Sequence, residues 1–283
     1  MKMAVDLTGK VAVVTGGGGI LCSAMAKALA KQGAKVAILD LKEESAKAAA
    51  DEINAAGGTA IGIAANVLEK ESLEAARAVV EEKFGVCDIL INGAGGNHPK
   101  GTTSKERLFK EDILNPVEGC NTFFDLDPAG VGFVFNLNFL GTLLPSQVFC
   151  KGMALRGQGT VINISSMNAF RPLTKIPAYS AAKAAISNFT AWLATHMSEV
   201  GIRVNAIAPG FFLTNQNRTL LTNPDGSLTP RGNTILSHTP MGRFGTPEDL
   251  FGTLLWLVDD EASGFVNGIV VPVDGGFAAF SGV

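Results

Sequence analysis

Tyr179 and Lys183 stand four residues apart in Ala178-Tyr-Ser-Ala-Ala-Lys-Ala-Ala-Ile, a stretch of helical composition. That spacing places both side chains on one helical face. A free phenol ionises near pH 10, too high for an easy base at neutral pH. A neighbouring ammonium favours the phenolate and lowers that value, so the pair can donate and accept a proton. Tyr179 is the only tyrosine in the chain. Ser166 ends the run Asn163-Ile-Ser-Ser, thirteen residues before the tyrosine. Its hydroxyl could bind a substrate oxygen; taken alone it reads first as a turn or cap serine, and the Tyr/Lys helix that follows is what strengthens the functional reading.

A second group of residues could hold a dinucleotide. Thr15-Gly-Gly-Gly-Gly-Ile-Leu21 follows an apolar β-branched run and opens a helical one. Glycines such as Gly16, Gly18 and Gly19 let the backbone approach a pyrophosphate without a Cβ clash. The N–H groups of the helix opening at Ile20 offer partial positive charge to the phosphates. A glycine cluster alone could be only a flexible turn; its place between strand and helix points to nucleotide binding. Asp40 ends the next strand-like run, 24 residues after Gly16. A carboxylate there accepts both ribose hydroxyls of NAD and repels a 2′-phosphate. Lys42 is the nearest cation, two positions on. The reading therefore favours NAD over NADP. The alternative for Asp40 is a cap on the helix beginning near Glu43.

The elements that must position these groups repeat as strand then helix. Residues 11–15, 35–39, 59–64, 88–92, 160–165, 203–208 and 269–273 read as seven strands. Residues 21–32, 43–56 and 70–84 read as helices, the last with Leu73, Ala76, Val80 and Phe84 on one face. Several strands are apolar throughout, which suits a parallel sheet covered on both sides. The pattern predicts one domain over 1–283: an α/β Rossmann fold, a doubly wound seven-stranded parallel sheet with helices on both faces. Two polar, proline-bearing segments interrupt it, an insert at about 97–132 and a loop at about 211–245. Both leave from carboxyl ends of strands, where ligands lie in such sheets, and read as substrate-side elements. Surface decoration is the alternative.

Composition narrows the function class. The chain has 283 residues, 47% hydrophobic and 17% charged, enough to bury a large core. Its net charge of −3 leaves no basic footprint for nucleic acid or acidic lipid. The apolar run 133–150 contains Asn136, Asn138, Pro145, Ser146 and Gln147, which argues against a bilayer span, and residues 1–10 lack a signal-like apolar core. Cys22, Cys87, Cys120 and Cys150 are scattered as expected of reduced thiols in a cytoplasmic protein, and His98, His196 and His238 lack metal-ligand spacing. No metal is expected.

The ordered set Thr15–Leu21, Asn92-Gly-Ala-Gly95, Asn138, Ser166, Tyr179-x-x-x-Lys183, Pro209-Gly210 and Val273-Asp-Gly-Gly276 resembles the short-chain dehydrogenase/reductase family over nearly the whole chain. The resemblance implies an NAD(P)-dependent oxidoreductase acting on a carbonyl or secondary alcohol. Tyr179 would be the general acid/base. Lys183 would lower its pKa and bind the nicotinamide ribose, Ser166 would hold the substrate carbonyl, and Asn138 would anchor a proton-relay water. Cofactor contacts would come from Gly16, Gly18, Gly19, Ile20, Asp40, Asn66, Val67, Asn92, Ala94, Gly95, Tyr179, Lys183, Pro209, Gly210, Phe212 and Thr214. Asn66 would meet the adenine and Thr214 the carboxamide. A polar residue satisfied inside a helix (Asn138) and an ordinary loop threonine (Thr214) are the alternatives. The glycine loop is one residue shorter than the family pattern, with Leu21 or Cys22 where its last glycine would fall. The family also implies a homotetramer packed through 133–155, 178–200 and the last strand.

The stretches Gly95-Gly-Asn-His-Pro, Thr122-Phe-Phe-Asp-Leu-Asp, 167–175 and Asn215-Gln-Asn-Arg218 are similar to a narrower branch, the D-mannonate oxidoreductases or fructuronate reductases. A small-molecule substrate, a keto sugar acid, is thereby implied. Such a substrate needs a cation for its carboxylate and polar groups for its hydroxyls. Arg171, Lys175 and Arg218 are the candidate cations, and Asn97, His98, Asn168, Asn215 and Gln216 the candidate hydroxyl partners. These basic residues could equally be surface charges or subunit contacts. Two other readings stay open: a reductase of another carbonyl (gluconate 5-dehydrogenase-like, a 3-oxoacyl thioester or a steroid), and a non-catalytic dinucleotide sensor.

Overall fold

Alternation along the strands sorts the core into two layers. Ala12 and Val14, Val36 and Ile38, and Ile89 and Ile91 face one layer, while Val11 and Val13, Ala37 and Leu39, and Leu90 face the other. Every one of these side chains is buried. Such double-sided burial is what continuous apolar strands require. In the computed structural model, which describes residues 5–214 and 218–282, the strands are β1 (Val11–Thr15), β2 (Lys35–Asp40), β3 (Thr59–Ala64), β4 (Ile89–Asn92), β5 (Gly159–Ile164), β6 (Ile202–Pro209) and β7 (Val270–Val273). All pair in parallel, in the order β3-β2-β1-β4-β5-β6-β7. Strand order reverses between β1 and β4, the switch point at which a doubly wound sheet opens a crevice.

The helices are α1 (Ile20–Lys31), α2 (Glu43–Ala55), α3 (Lys70–Lys83), α4 (Lys110–Leu114), α5 (Pro128–Phe135), α6 (Gly141–Arg156), α7 (Pro177–Met197), α8 (Arg218–Leu221), α9 (Pro230–Ser237), α10 (Phe251–Val258) and α11 (Asp260–Ser263). Cys22, Met25, Leu29, Ala46, Ile53, Leu254 and Leu257 place α1, α2 and α10 on the first layer. Leu73, Val80, Phe149, Met153, Phe189 and Leu193 place α3, α6 and α7 on the second. The single doubly wound domain anticipated from the sequence is the fold observed.

The insert is more structured than its composition suggests. Short 3₁₀ turns at Pro99–Gly101 and Phe123–Asp125 flank α4. Its last residues are not loop: Asp127 caps α5, accepting the Ala129 N–H at 2.8 Å, and Pro128 occupies the first helical turn. Aspartate followed by proline is a helix-start signal that the surrounding prolines obscure. Between α5 and α6 the backbone widens into a π-helical turn, Asn136–Leu140. The run 128–156 is thus one helix, long and apolar enough to cross a membrane, but half of its most apolar window is buried inside this fold. Segment 211–245 carries α8 and α9 and is tied by single bridges, Phe212 to Gly245 and Thr222 to Leu228.

Candidate active site

Thr15 closes β1, and its hydroxyl accepts the N–H groups of Gly93 and Ala94 at 3.1 and 3.3 Å. This ties the exit of β4 to the exit of β1 at the switch point. Gly16 follows with φ +61°, and a Cβ there would stand 2.8 Å from the Ala94 Cα. Only glycine combines that backbone conformation with so close an approach. Gly18 is pressed against Ser45 and gives its N–H to Asp40 Oδ2 at 3.1 Å. Asp40 Oδ1 takes the Lys42 N–H at 3.1 Å. The N-cap of α2 is Lys42, without a side-chain cap bond, so Asp40 is not the cap of that helix. Beside the glycine loop, Gly93 packs on Cys22: a Cβ there would lie 2.2 Å from Cys22 Sγ. Burial pushes that thiol up to about 12, so Cys22 fills the space behind the loop as a neutral, inert group.

A cavity of about 620 Å³ runs from this loop across the sheet edge. Gly16, Gly19, Ile20 and Asp40 line one end, Ala94, Gly95, Pro209, Gly210 and Thr214 the middle, and Ser166, Tyr179 and Lys183 the floor. Lys183 is 4% exposed and donates to the Ile164 carbonyl at 2.8 Å. Its nitrogen lies 5.6 Å from the centre of the Tyr179 ring. Asn138 is fully buried in the π-helical turn. Its amide donates to the carbonyls of Gly96 (2.7 Å) and Val134 (2.8 Å), and its Oδ1 accepts the Gly96 N–H at 3.3 Å. Asn138 therefore braces the backbone beside Gly95 with its whole amide. Its main-chain carbonyl is taken by the Thr142 hydroxyl at 2.9 Å.

The electrostatics depart from the spacing argument. Burial pushes the Tyr179 phenol above its ordinary 10.0, and a hydrogen bond with Ser166 pulls it part of the way back. Tyr179 is only half-buried because it lines the cavity, yet it is shielded enough to lose hydration. Lys183 contributes no lowering. Burial brings its own pKa down from 10.5 to about 8. Proximity along a helix places the ammonium over the tyrosine ring, while its nitrogen is hydrogen-bonded to the Ile164 carbonyl.

Several proposed contacts fall elsewhere. Asn92 lies just behind the cavity, donating to Ser146 and Asn163 at 2.9 Å each. Asn66 and Val67 are outside the lining; the Asn66 amide is engaged with Glu69 and Leu68. Phe212 is 4% exposed and packs on Gly245, in the core and along a second cavity instead. Arg171 is held by the Ala278 carbonyl at 3.0 Å, and Lys175 and Arg218 are also outside the lining. His98 accepts the Lys100 N–H and packs on Phe133 with ring centres 5.2 Å apart, the planes tilted by 59°. Asn97 and Asn168 do line the cavity. Asn215 and Gln216 lie outside the described residues. Sequence reasoning missed Arg231, whose capped helix start at Thr229-Pro230 was readable inside the loop, and the apolar walls Met167, Leu173, Ile176, Leu220 and Leu221.

The sequence profile of the short chain dehydrogenases matches residues 10–225. The chain belongs to that family. It is an oxidoreductase. It is 58% identical over 278 residues, 98% of this chain and 96% of the other, to an uncharacterized oxidoreductase of Haemophilus influenzae. It is 56% identical over 98% of both chains to the uncharacterized oxidoreductase UxuB of Bacillus subtilis. Among solved structures, one from Haemophilus influenza, provisionally named a D-mannonate oxidoreductase and holding NAD, superposes with a TM-score of 0.93 at 56% identity over the full length of both chains.

Proposed function

We propose that this dehydrogenase uses NAD to interconvert a keto sugar acid and its hydroxy acid, of the D-fructuronate to D-mannonate type. The observation that carries the reading is one cavity joining the Gly16–Ile20 cradle and Asp40 to Ser166, Tyr179 and Lys183. The residues present fit a nicotinamide dinucleotide: the Gly16 approach leaves no room for a Cβ, and Asp40 brings a carboxylate to the cavity wall at the end of β2. Among the described residues no lysine or arginine lines that end, which favours NAD over NADP. The solved relative with NAD supports the same choice, and its provisional name supports the sugar-acid class.

When bound, the dinucleotide supplies or removes a hydride at the substrate carbon. Ser166 would hold the substrate oxygen beside the phenol to which it is hydrogen-bonded. Tyr179 would hand its proton to that oxygen in reduction and take it back in oxidation. A phenol raised by burial is fully protonated at neutral pH, ready as an acid. Lys183 would hold the ribose side of the site, and Asn138 the Gly96 backbone next to it. Scattered free thiols, three of the four buried, suit a cytoplasmic enzyme, and the exposed Phe133, Phe135, Leu140 and Trp192 on the 128–156 helix and α7 suit a homotetramer. The purified protein should oxidise NADH in the presence of D-fructuronate; no turnover across a panel of keto sugar acids would refute the substrate class. A reductase of apolar carbonyls would instead turn over 3-oxoacyl thioesters or steroids in the same assay.

A further inference from the structure

Arg231 is the only guanidinium in the lining of the catalytic cavity among the described residues, and it forms no ion pair there. Its place is fixed by close packing. Thr229 caps α9 by accepting the Gly232 N–H at 3.1 Å. Gly232 presses so tightly on α8 that a Cβ would stand 2.3 Å from the Leu221 carbonyl. Asn168, two residues beyond Ser166, also lines the cavity; it is 4% exposed, and its buried Oδ1 has no hydrogen-bond partner among the described residues. Burying an amide oxygen unpaired is unfavourable, and a turn of the Asn168 amide toward the cavity that it lines would let a ligand hydroxyl supply the missing donor. Among the described residues, the only carboxylate in the lining is Asp40, at the proposed nucleotide end. The substrate end thus offers an unpaired cation on its rim and an unpaired acceptor in its floor.

We propose that Arg231 binds the substrate carboxylate and that Asn168 Oδ1 accepts a hydroxyl next to the reacting carbon, so that the pair selects hydroxylated carboxylic acids. This rests on the sugar-acid reading above. Arginine provides two parallel donors for a carboxylate, which fixes orientation as well as charge. The site therefore discriminates against the same keto sugar with its carboxylate masked as an amide.

The experiment compares D-fructuronate with its carboxamide as substrates for NADH oxidation by wild type, R231Q, R231K and N168A. In R231Q the KM for the acid should rise roughly 10- to 100-fold, the range for losing a hydrogen bond to a charged group. The acid-over-amide preference should fall by a similar factor, with kcat falling much less. R231K should recover part of the preference. The wild-type KM for the acid should also rise with salt more steeply than that of R231Q. N168A should raise the KM for the hydroxylated acid about tenfold but spare an analogue lacking the adjacent hydroxyl. Arg231 is exposed, so its substitution leaves the core intact. An R231Q enzyme that keeps the wild-type acid-over-amide ratio overturns the assignment while the sugar-acid reading survives. A wild type that reduces neither compound defeats the sugar-acid reading itself.

Discussion

Lys183 and Tyr179 face each other at 5.6 Å, ammonium nitrogen to ring centre, yet the lysine spends a hydrogen bond on the Ile164 carbonyl and the phenol is bonded to Ser166. The two groups are neighbours without forming an ion pair in waiting. Burial acts on both in opposite directions, raising the phenol and lowering the ammonium.

Because Tyr179 is the only tyrosine, ultraviolet absorbance of tyrosinate reads that one phenol alone. In the protein without coenzyme, the signal should appear only above pH 10. A midpoint near neutrality would contradict the burial argument. Tyr179→Phe should keep NADH binding, measured by fluorescence titration, and lose about 10²- to 10⁴-fold in kcat.

Lys183 gives a stability prediction whose sign follows from its shift. Its folded pKa of about 8 lies below the ordinary 10.5, so between these values the unfolded chain binds the proton and the folded one does not. Stability therefore rises with pH across that window and is lost as pH falls toward 8. Lys183→Met removes this dependence. Compared with wild type, it should gain up to about 3 kcal/mol more at pH 7 than at pH 10.5, read from denaturant titrations at both values.

Gly95 marks how closely the site is packed. A Cβ at that position would stand 2.6 Å from Asn138 Oδ1 and 3.2 Å from Lys183 Nζ. Gly95→Ala should cost about 1–3 kcal/mol in stability and lower kcat. Gly132 on α5 is the control, since nothing lies within 4 Å of a Cβ there. Gly132→Ala should stabilise by about 0.5–1 kcal/mol, visible as a raised Tm with unchanged kcat.

Replacing Asp40 by Ala should weaken NADH more than NADPH. The Gly18 N–H loses its partner for either coenzyme, so the ratio of the two Kd values is the informative quantity. An unchanged ratio would remove Asp40 from coenzyme selection.

Strands were legible in the sequence because their apolar runs have a period and bounds that few other elements share; β1 and β3 begin and end where composition places them. The reacting groups were legible because spacing within one helix or one strand exit is fixed by local geometry. What local spacing could not give was direction. Arg171 and Lys175 lie near the site in sequence, but the chain turns them onto Ala278 and the insert: Arg171 bonds the Ala278 carbonyl, and the Lys175 carbonyl takes the Thr103 N–H at 2.9 Å. Arg231, 48 residues beyond Lys183, reaches the cavity because α9 folds back on α8. The pKa of Tyr179 was misjudged for the same reason: pair spacing is local, whereas desolvation depends on everything packed around the ring.

The π-helical turn at Asn136–Leu140 has a consequence for how this enzyme can diversify. One extra residue in a helical turn rotates everything before it by about 100° relative to everything after it. The helix thereby presents Asn138 to Gly96 while its upstream half carries the insert at a different azimuth. Removing a single residue between 136 and 140 would re-aim the insert while sparing the sheet. The phase of that one turn, more than the content of the insert, thus sets the direction in which the insert leaves the fold.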